Sequence, residues 1–468
     1  MKKIFKKIGA LALTAVMSAT MLAGCGGGSN GGGSNDKIKI TVAINGNSNA
    51  ESDLMLEWKV AYEAINPDVT ISIKPFTSNY TQAMMNYLNS EKSMPDIMWT
   101  TGETHATWSS DEEAAFIDLK DMIDADASIE LSDFYDASIQ ATRRNSKDDG
   151  IYFMPRDYNK PVLFINKAMF RAAGFTDEEI DGLKDGWNYE KFIATCERLK
   201  VAMQANMNTS MGVRASSVPL DAQMNFNASY CSFVKHFGGD FVKDGKVSFM
   251  SDENLNAYGQ IFELIDNGYI AEGKKMASKT FTSLSAAMMI NVRPEWPNMP
   301  RSDKYDIDFL PLPLDYVGVG CSGYAITYMA EERVSNSSLN VDGKSNKEYA
   351  FDFLKFIVSE EGQKIGAELG SIIPVRKSMA NDPSWTTYMN AALNHAAFIS
   401  APEKDFSLSI FQDFDAKDSA KIMSRLAEVM GQVVIGDNYK NYQTNNYEKL
   451  RDAIKNFQSA VSDFEVKY

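Results

Sequence analysis

Segments of alternating hydrophobicity take turns with amphipathic segments along this chain from residue 38 onward, and that alternation restricts the fold more than any other feature. Residues 38–44 have period-two character, as a strand with one covered face should. Residues 53–66 place Leu54, Trp58 and Ala61 on one helical face, with Pro67 beyond the end. A second alternating strand follows at 69–73, a helix at 80–90, and a third strand at 95–99 that opens into a loop. The pattern continues with strands at 151–155, 162–165, 286–290 and 307–311, and with helices at 131–143, 167–173, 188–203, 254–266, 348–359, 361–369, 416–435 and 447–464. Strands that alternate with helices imply an α/β fold with a parallel or mixed sheet. No internal repeat is evident, and the Ser- and Asn-rich stretch 334–347 reads as a surface insertion.

Before this body stands a positively charged start ending at Lys7 and an apolar segment over 8–23, too short and too rich in small residues for a comfortable membrane span. The segment closes Leu22-Ala23-Gly24-Cys25, which resembles the lipobox of bacterial lipoproteins. That resemblance implies cleavage of a signal peptide, 1–24, and diacylglycerylation of the Cys25 thiol. Each buried methylene contributes about 0.8 kcal/mol, so two or more acyl chains anchor durably where one is marginal. Residues 25–37 hold the lipidated cysteine and a Gly/Ser/Asn linker that can bury nothing and serves as a leash. The expected location is therefore extracytoplasmic, at the outer face of the cell membrane.

Removal of 1–24 leaves 444 residues, enough for two domain-sized cores, with 43 basic against 62 acidic side chains, a net charge of −19. Such a surface argues against nucleic acid and against binding of the body to anionic lipid. Cys196, Cys231 and Cys321 are too few and too widely spaced for a disulfide scaffold or a zinc knuckle, and three buried thiols are expected, with a Cys196–Cys231 bridge as the alternative. The three histidines, His105, His236 and His395, lie far apart. No HExxH, GxSxG or phosphate-binding loop is present, so neither a catalytic centre, a metal site nor a cofactor is expected.

Four stretches in series carry a further likeness: Pro67 to Ile71 with Met94-Pro95-Asp96-Ile97; Pro161 to Phe170 with Ala173-Gly174 and Asp185 to Phe192; Ser285 to Met289; and Ala350 to Gln363 with Ile373-Pro374-Val375-Arg376. Together they resemble the family 1 extracellular solute-binding proteins of ABC importers, which serve sugars and oligosaccharides. The family's usual glycine beside Ala286 is missing, and Asn188 replaces its usual Thr or Ser. The resemblance implies a periplasmic-binding-protein-like, two-lobe clamshell with discontinuous lobes, lobe one at 38–156 and 318–373 and lobe two at 157–317 and 374–468. It also implies a carbohydrate in the cleft, hinge closure around it, ABC permease subunits as partners, and a monomer.

A sugar offers an apolar ring face and a rim of hydroxyls, so its cleft needs aromatic platforms beside polar side chains. Trp99 ends the third strand and Glu103 follows it, in a loop from which the family draws contacts. Arg156, Tyr158 and Asn159 occupy the presumed first crossover, and Arg293 and Trp296 follow the strand at 286–290, with Pro294 and Pro297 stiffening their loop. Tyr324 lies beyond the small residues Gly320, Ser322 and Gly323. Arg376 offers a bidentate fork, a surface salt bridge being its alternative role. Trp58, Trp187, Phe351, Phe353 and Phe356 are expected to be core, and Trp385 is undecided. The competing functions are a surface carbohydrate adhesin or sensor subunit, and capture of a peptide or polyamine.

Overall fold

The structure, a computed structural model, describes residues 36–109, 114–271, 273–382, 385, 393–442 and 447–468. The signal peptide, Cys25 and most of the leash lie outside the described residues. The strands run β1 (Ile38–Asn45), β2 (Val69–Phe76), β3 (Ile97–Thr101), β4 (Met154–Pro155), β5 (Val162–Asn166) and β6 (Val218–Asp221). They continue with β7 (Val242–Lys243), β8 (Lys246–Val247), β9 (Ala286–Asn291), β10 (Ile307–Pro311), β11 (Val317–Val319), β12 (Ser322–Ile326) and β13 (Asp405–Ser407).

A first sheet has the order β2-β1-β3-β12-β4. β1 is parallel to both β2 and β3, and β12 runs antiparallel to β3 and β4. Because β12 arrives after the whole second sheet has been laid down, the lobe is discontinuous. The helix Asn49–Ile65 begins where the Ser48 side chain accepts from Glu51 N and ends before Pro67. It packs Leu54 and Trp58 against Phe353, Leu354 and Ile357 of the helix Asn346–Ile357. The Trp58 indole donates to Gly362 O at 2.7 Å, and a Cβ at Gly362 would fall 2.1 Å from Phe356 O, so glycine permits the close approach of this residue to the end of the helix Asn346–Ile357.

The second sheet, β10-β5-β9-β6, is mixed: β5 is antiparallel to β10 and β9, while β6 is parallel to β9. Its core joins Leu163, Phe192, Leu199, Tyr258 and Ile261 to Ile422, Leu426, Leu450 and Ile454 from the chain's last helices. Between the sheets the chain crosses repeatedly. Asn159 bridges Gly320, Tyr158 N donates to Ile373 O at 3.1 Å, and β11 pairs in parallel with β13. A third apolar cluster, including Tyr158, Phe309, Ile373, Trp385 and Phe398, draws on segments of both lobes. The architecture is the expected two-lobe α/β clamshell with discontinuous lobes.

Local expectations change in three places. The helix expected over 131–143 is a 3-10 turn, Leu131–Asp133, followed by a short helix, Asp136–Ala141. The strand expected over 151–155 shrinks to β4, because only Met154 and Pro155 meet β12. The helix Ala416–Glu428 passes into a π-helical turn, Val429–Val434. Cys196, Cys231 and Cys321 are buried free thiols.

Candidate ligand cleft

The loop after β3 is fixed from both sides. Thr101 N donates to the Thr104 hydroxyl at 3.3 Å, and Gly102 N donates to Cys321 O at 2.9 Å. A Cβ on Gly102 would lie 2.8 Å from Ala141 Cβ and 2.9 Å from Ser409 Oγ, so the loop is pressed against neighbouring segments. This presents Glu103, whose carboxylate accepts from Asn227 Nδ2 at 3.0 Å. Asn227 opens the helix Asn227–His236 of the second lobe, so this hydrogen bond joins the two lobes.

Trp99 is half-buried beside Phe76 and Tyr80, at ring-centroid separations of 6.2 and 5.8 Å. Its indole N–H has no hydrogen-bond partner, an unmet donor in a largely covered place. Half-buried Asn159 has an acceptor, Oδ1, that is likewise unpartnered. The 320–322 segment gathers these candidates: its backbone meets Gly102, Arg156 and Asn159.

Arg156 and Tyr324 come together around a residue the sequence reading passed over, Glu51. The Arg156 guanidinium pairs with Glu51 Oε2 at 3.0 Å and Asp157 Oδ2 at 3.7 Å, and Nε donates to Ser322 Oγ at 3.1 Å. The Tyr324 hydroxyl donates to the other Glu51 oxygen. Burial alone would lower the Arg156 pKa, but Asp157 and Glu51 outweigh it and hold the pKa above the ordinary value. Burial pushes Asp157 up to about 6, with Glu51 adding to the rise against the opposing pull of Arg156. This is a sealed ionic cluster, with Arg156 only 7% exposed.

The other candidates lie elsewhere. Tyr158 stacks on Tyr135 at 3.8 Å and 12° inside the third cluster. Arg293, 1% exposed, donates from Nε to Gly370 O at 3.0 Å and lies 3.1 Å from His395 Nδ1. Burial lowers its pKa to about 9, with Arg301 adding to the effect. Trp296 sits beside it, edge-on to Phe309 at 5.2 Å and stacked by Arg301 at 4.0 Å. Arg376 takes the salt-bridge role, meeting Asp133 Oδ2 at 2.8 Å. Trp385 is 5% exposed and belongs to the third cluster.

Sequence reasoning also missed Lys160 and Asp405, a buried ion pair at 2.7 Å that ties the first crossover to β13. Burial disfavours the charged form of each, pushing the lysine down and the aspartate up, and their 2.7 Å contact opposes both shifts. Neither partner carries a local signal, since they lie far apart in sequence. Among the described residues no group of three or more His, Cys, Asp or Glu is placed to hold a metal, and no helix is long and apolar enough to cross a membrane.

Two α/β lobes joined by several crossovers, with polar groups meeting between them, define a clamshell solute-binding protein. Residues 57–392 match the family profile described as bacterial extracellular solute-binding protein, and the chain belongs to that family. In structure it is similar to an ABC substrate-binding protein of Listeria monocytogenes in complex with cycloalternan, at 16% identity, covering 91% of this chain and 99% of that one, TM-score 0.66. It is likewise similar to maltose-bound MalE3 of T. maritima, at 18% identity, 91% and 99% coverage and TM-score 0.65. The GacH receptor of Streptomyces glaucescens, with 16% identity, 92% and 100% coverage and TM-score 0.66, has the same fold. No curated protein sequence matches the chain.

Proposed function

We propose that the protein captures an extracellular oligosaccharide between its lobes and presents it to an ABC importer. The observation that carries this reading is the meeting of Glu103, four residues after half-buried Trp99 in the chain, with Asn227 across the lobes. A carboxylate, an amide and an aromatic edge suit a ligand with hydroxyls around an apolar face. The structurally similar proteins named above were solved with cycloalternan, maltose and acarbose, which supports a carbohydrate over a peptide or polyamine.

In this reading Trp99, Glu103 and Asn159, joined by Asn227, touch the ligand. Arg156, Tyr158, Arg293, Trp296, Tyr324 and Arg376 hold the walls and the hinge in place. The lobes divide at 38–156 with 318–373 and 157–317 with 374–468. A monomeric body hangs from lipidated Cys25, binds its ligand without altering it, and turns a closed cleft toward the permease.

Thermal-shift measurements on residues 36–468 test the reading against mono- and oligosaccharides, peptides and polyamines. A ligand at a hundred times its Kd stabilises by about 2.7 kcal/mol, a shift of several degrees. A shift with a carbohydrate is expected. A shift only with peptides or polyamines contradicts the carbohydrate reading and leaves the clamshell standing.

A further inference from the structure

The Ser- and Asn-rich insertion of lobe one takes no part in the cleft, yet it is an ordered loop that ends in exposed apolar side chains. Val334 bridges Ser345 and closes the loop. At its centre buried Asn340 donates from Nδ2 to Ser335 O at 3.2 Å and Lys344 O at 2.9 Å. Its Oδ1 accepts from Lys344 N at 3.0 Å and from the Tyr349 hydroxyl at 2.9 Å. A turn follows, closed by Gly343 N donating to Asn340 O at 3.1 Å, with Gly343 at a φ of 63°. Val341 stands at its apex, 89% exposed.

The turn itself has no need of a valine there. Turns select Gly, Pro, Asn, Asp and Ser, each for a backbone reason that a β-branched side chain does not supply. Val334 and Leu339 of the same loop are exposed as well. Leu339 also lines a cavity of about 510 Å³ together with Ile65, an exposed residue of the helix Asn49–Ile65. Apolar surface therefore continues from the loop onto that helix, and apolar side chains gathered on one exposed face mark a contact surface.

We propose that the loop 334–345 is a membrane-contact element, which seats Val341 at the headgroup–acyl boundary of the bilayer that carries Cys25. The proposal rests on the lipid-anchor reading of Cys25.

The point where the tether joins the body selects this occupant. Asp36 is bonded to the loop: Ser338 N donates to its carboxylate at 3.0 Å, and the Ser337 and Ser338 hydroxyls donate to its backbone and side-chain oxygens. Only residues 26–35 separate Asp36 from Cys25, and even fully extended that span reaches at most about 40 Å. The loop thus stays within reach of the bilayer, and such confinement populates a weak contact by raising its effective concentration. The charges favour an apolar hold over an electrostatic one. Asp342, beside Val341, meets Lys344 at 3.6 Å, and a body of net charge −19 gains nothing from anionic lipid.

This contact leaves the cleft free. Asp36 lies two residues before β1, so the loop stands where that strand begins. Glu103 follows the far end of β3, which runs parallel to β1, and the eight residues of β1 span about 23 Å.

The test uses the full-length lipidated protein in phosphatidylcholine vesicles, with an environment-sensitive fluorophore on V341C or, as the control, on V201C at an exposed position of lobe two. The native Cys196, Cys231 and Cys321 are buried. Interfacial side chains reach about 5–10 Å into the boundary, so lipids brominated high on the acyl chain should quench the probe at 341 about twofold or more and leave that at 201 unchanged. Equal quenching at both positions, or none at 341 in protein that floats with the vesicles, overturns the contact and leaves the anchor standing. Shielding at 341 that brominated lipid does not quench, and that grows with protein density, assigns the face to a second copy and also overturns it. A chain that carries no lipid on Cys25 by mass spectrometry and does not float overturns the anchor reading and this proposal with it.

Discussion

Replacing Arg156 with methionine separates the two roles open to this residue. In the fold its guanidinium faces Glu51 at 3.0 Å and Asp157 at 3.7 Å, with Tyr324 and Ser322 completing the cluster. Methionine fills much of the volume but leaves two buried carboxyl groups without their cation. Breaking a buried pair in this way costs roughly 3–5 kcal/mol. For a lobe of 150–250 residues each kcal/mol moves the melting point by about 2–4 °C, so R156M should melt about 6–20 °C below wild type in scanning calorimetry. Much of that loss should return in the triple variant R156M/E51Q/D157N, because a neutral cluster no longer strands a charge. A direct ligand contact would behave differently: R156M would melt within about 2 °C of wild type and lose ligand affinity, a result that would refute the structural assignment.

Asp157 gives a pH prediction. Its folded pKa of about 6 stands above the unfolded value near 3.9, so its favourable contribution is present below about pH 4 and is lost as pH rises through 6. D157N keeps the neutral form, so its stability advantage over wild type should widen from pH 5 to pH 7 by about 1.3 kcal/mol; an advantage that stays constant in calorimetric melts across that range would refute the shift. E103A removes a charge-assisted link across the lobes, and calorimetric ligand affinity should fall about tenfold or more while the melting point of the free protein moves little. Unchanged affinity would remove Glu103 from the cleft. C25A should leave the body folded and release it from the membrane fraction, and a lipidated, membrane-bound C25A protein would refute the anchor assignment.

The fold was largely legible because its signals are local. Residues 38–44 alternate, Asn188 caps the helix beginning at Tyr189, and Pro67 follows the end of the helix Asn49–Ile65. The π-helical turn was not legible, since Gly431 and the three valines of Val429–Val434 weaken a helix without specifying a change in its hydrogen-bond register. The site was read less fully for a different reason. Glu51 stands three residues after the capping Ser48, which suggests a helix start but not its partner Arg156, more than a hundred residues away. Asn227 lay in a stretch given no element, and only long-range packing brings it to Glu103. Trp296 looked like a platform because prolines flank it, whereas the same stiffness seats it against Arg293, Phe309 and Gly370. Sequence pattern identifies which residues can face a sugar, and long-range packing decides which of them do.

The most direct test is a crystal structure of residues 36–468 with the oligosaccharide that gives the largest thermal shift. The account predicts sugar density between the lobes, in contact with Glu103 and Asn227 and within reach of the Trp99 indole, with the Arg156–Glu51–Asp157 cluster intact behind it. Sugar bound away from that meeting point, or held by Arg156 after it has left Glu51, would contradict the account.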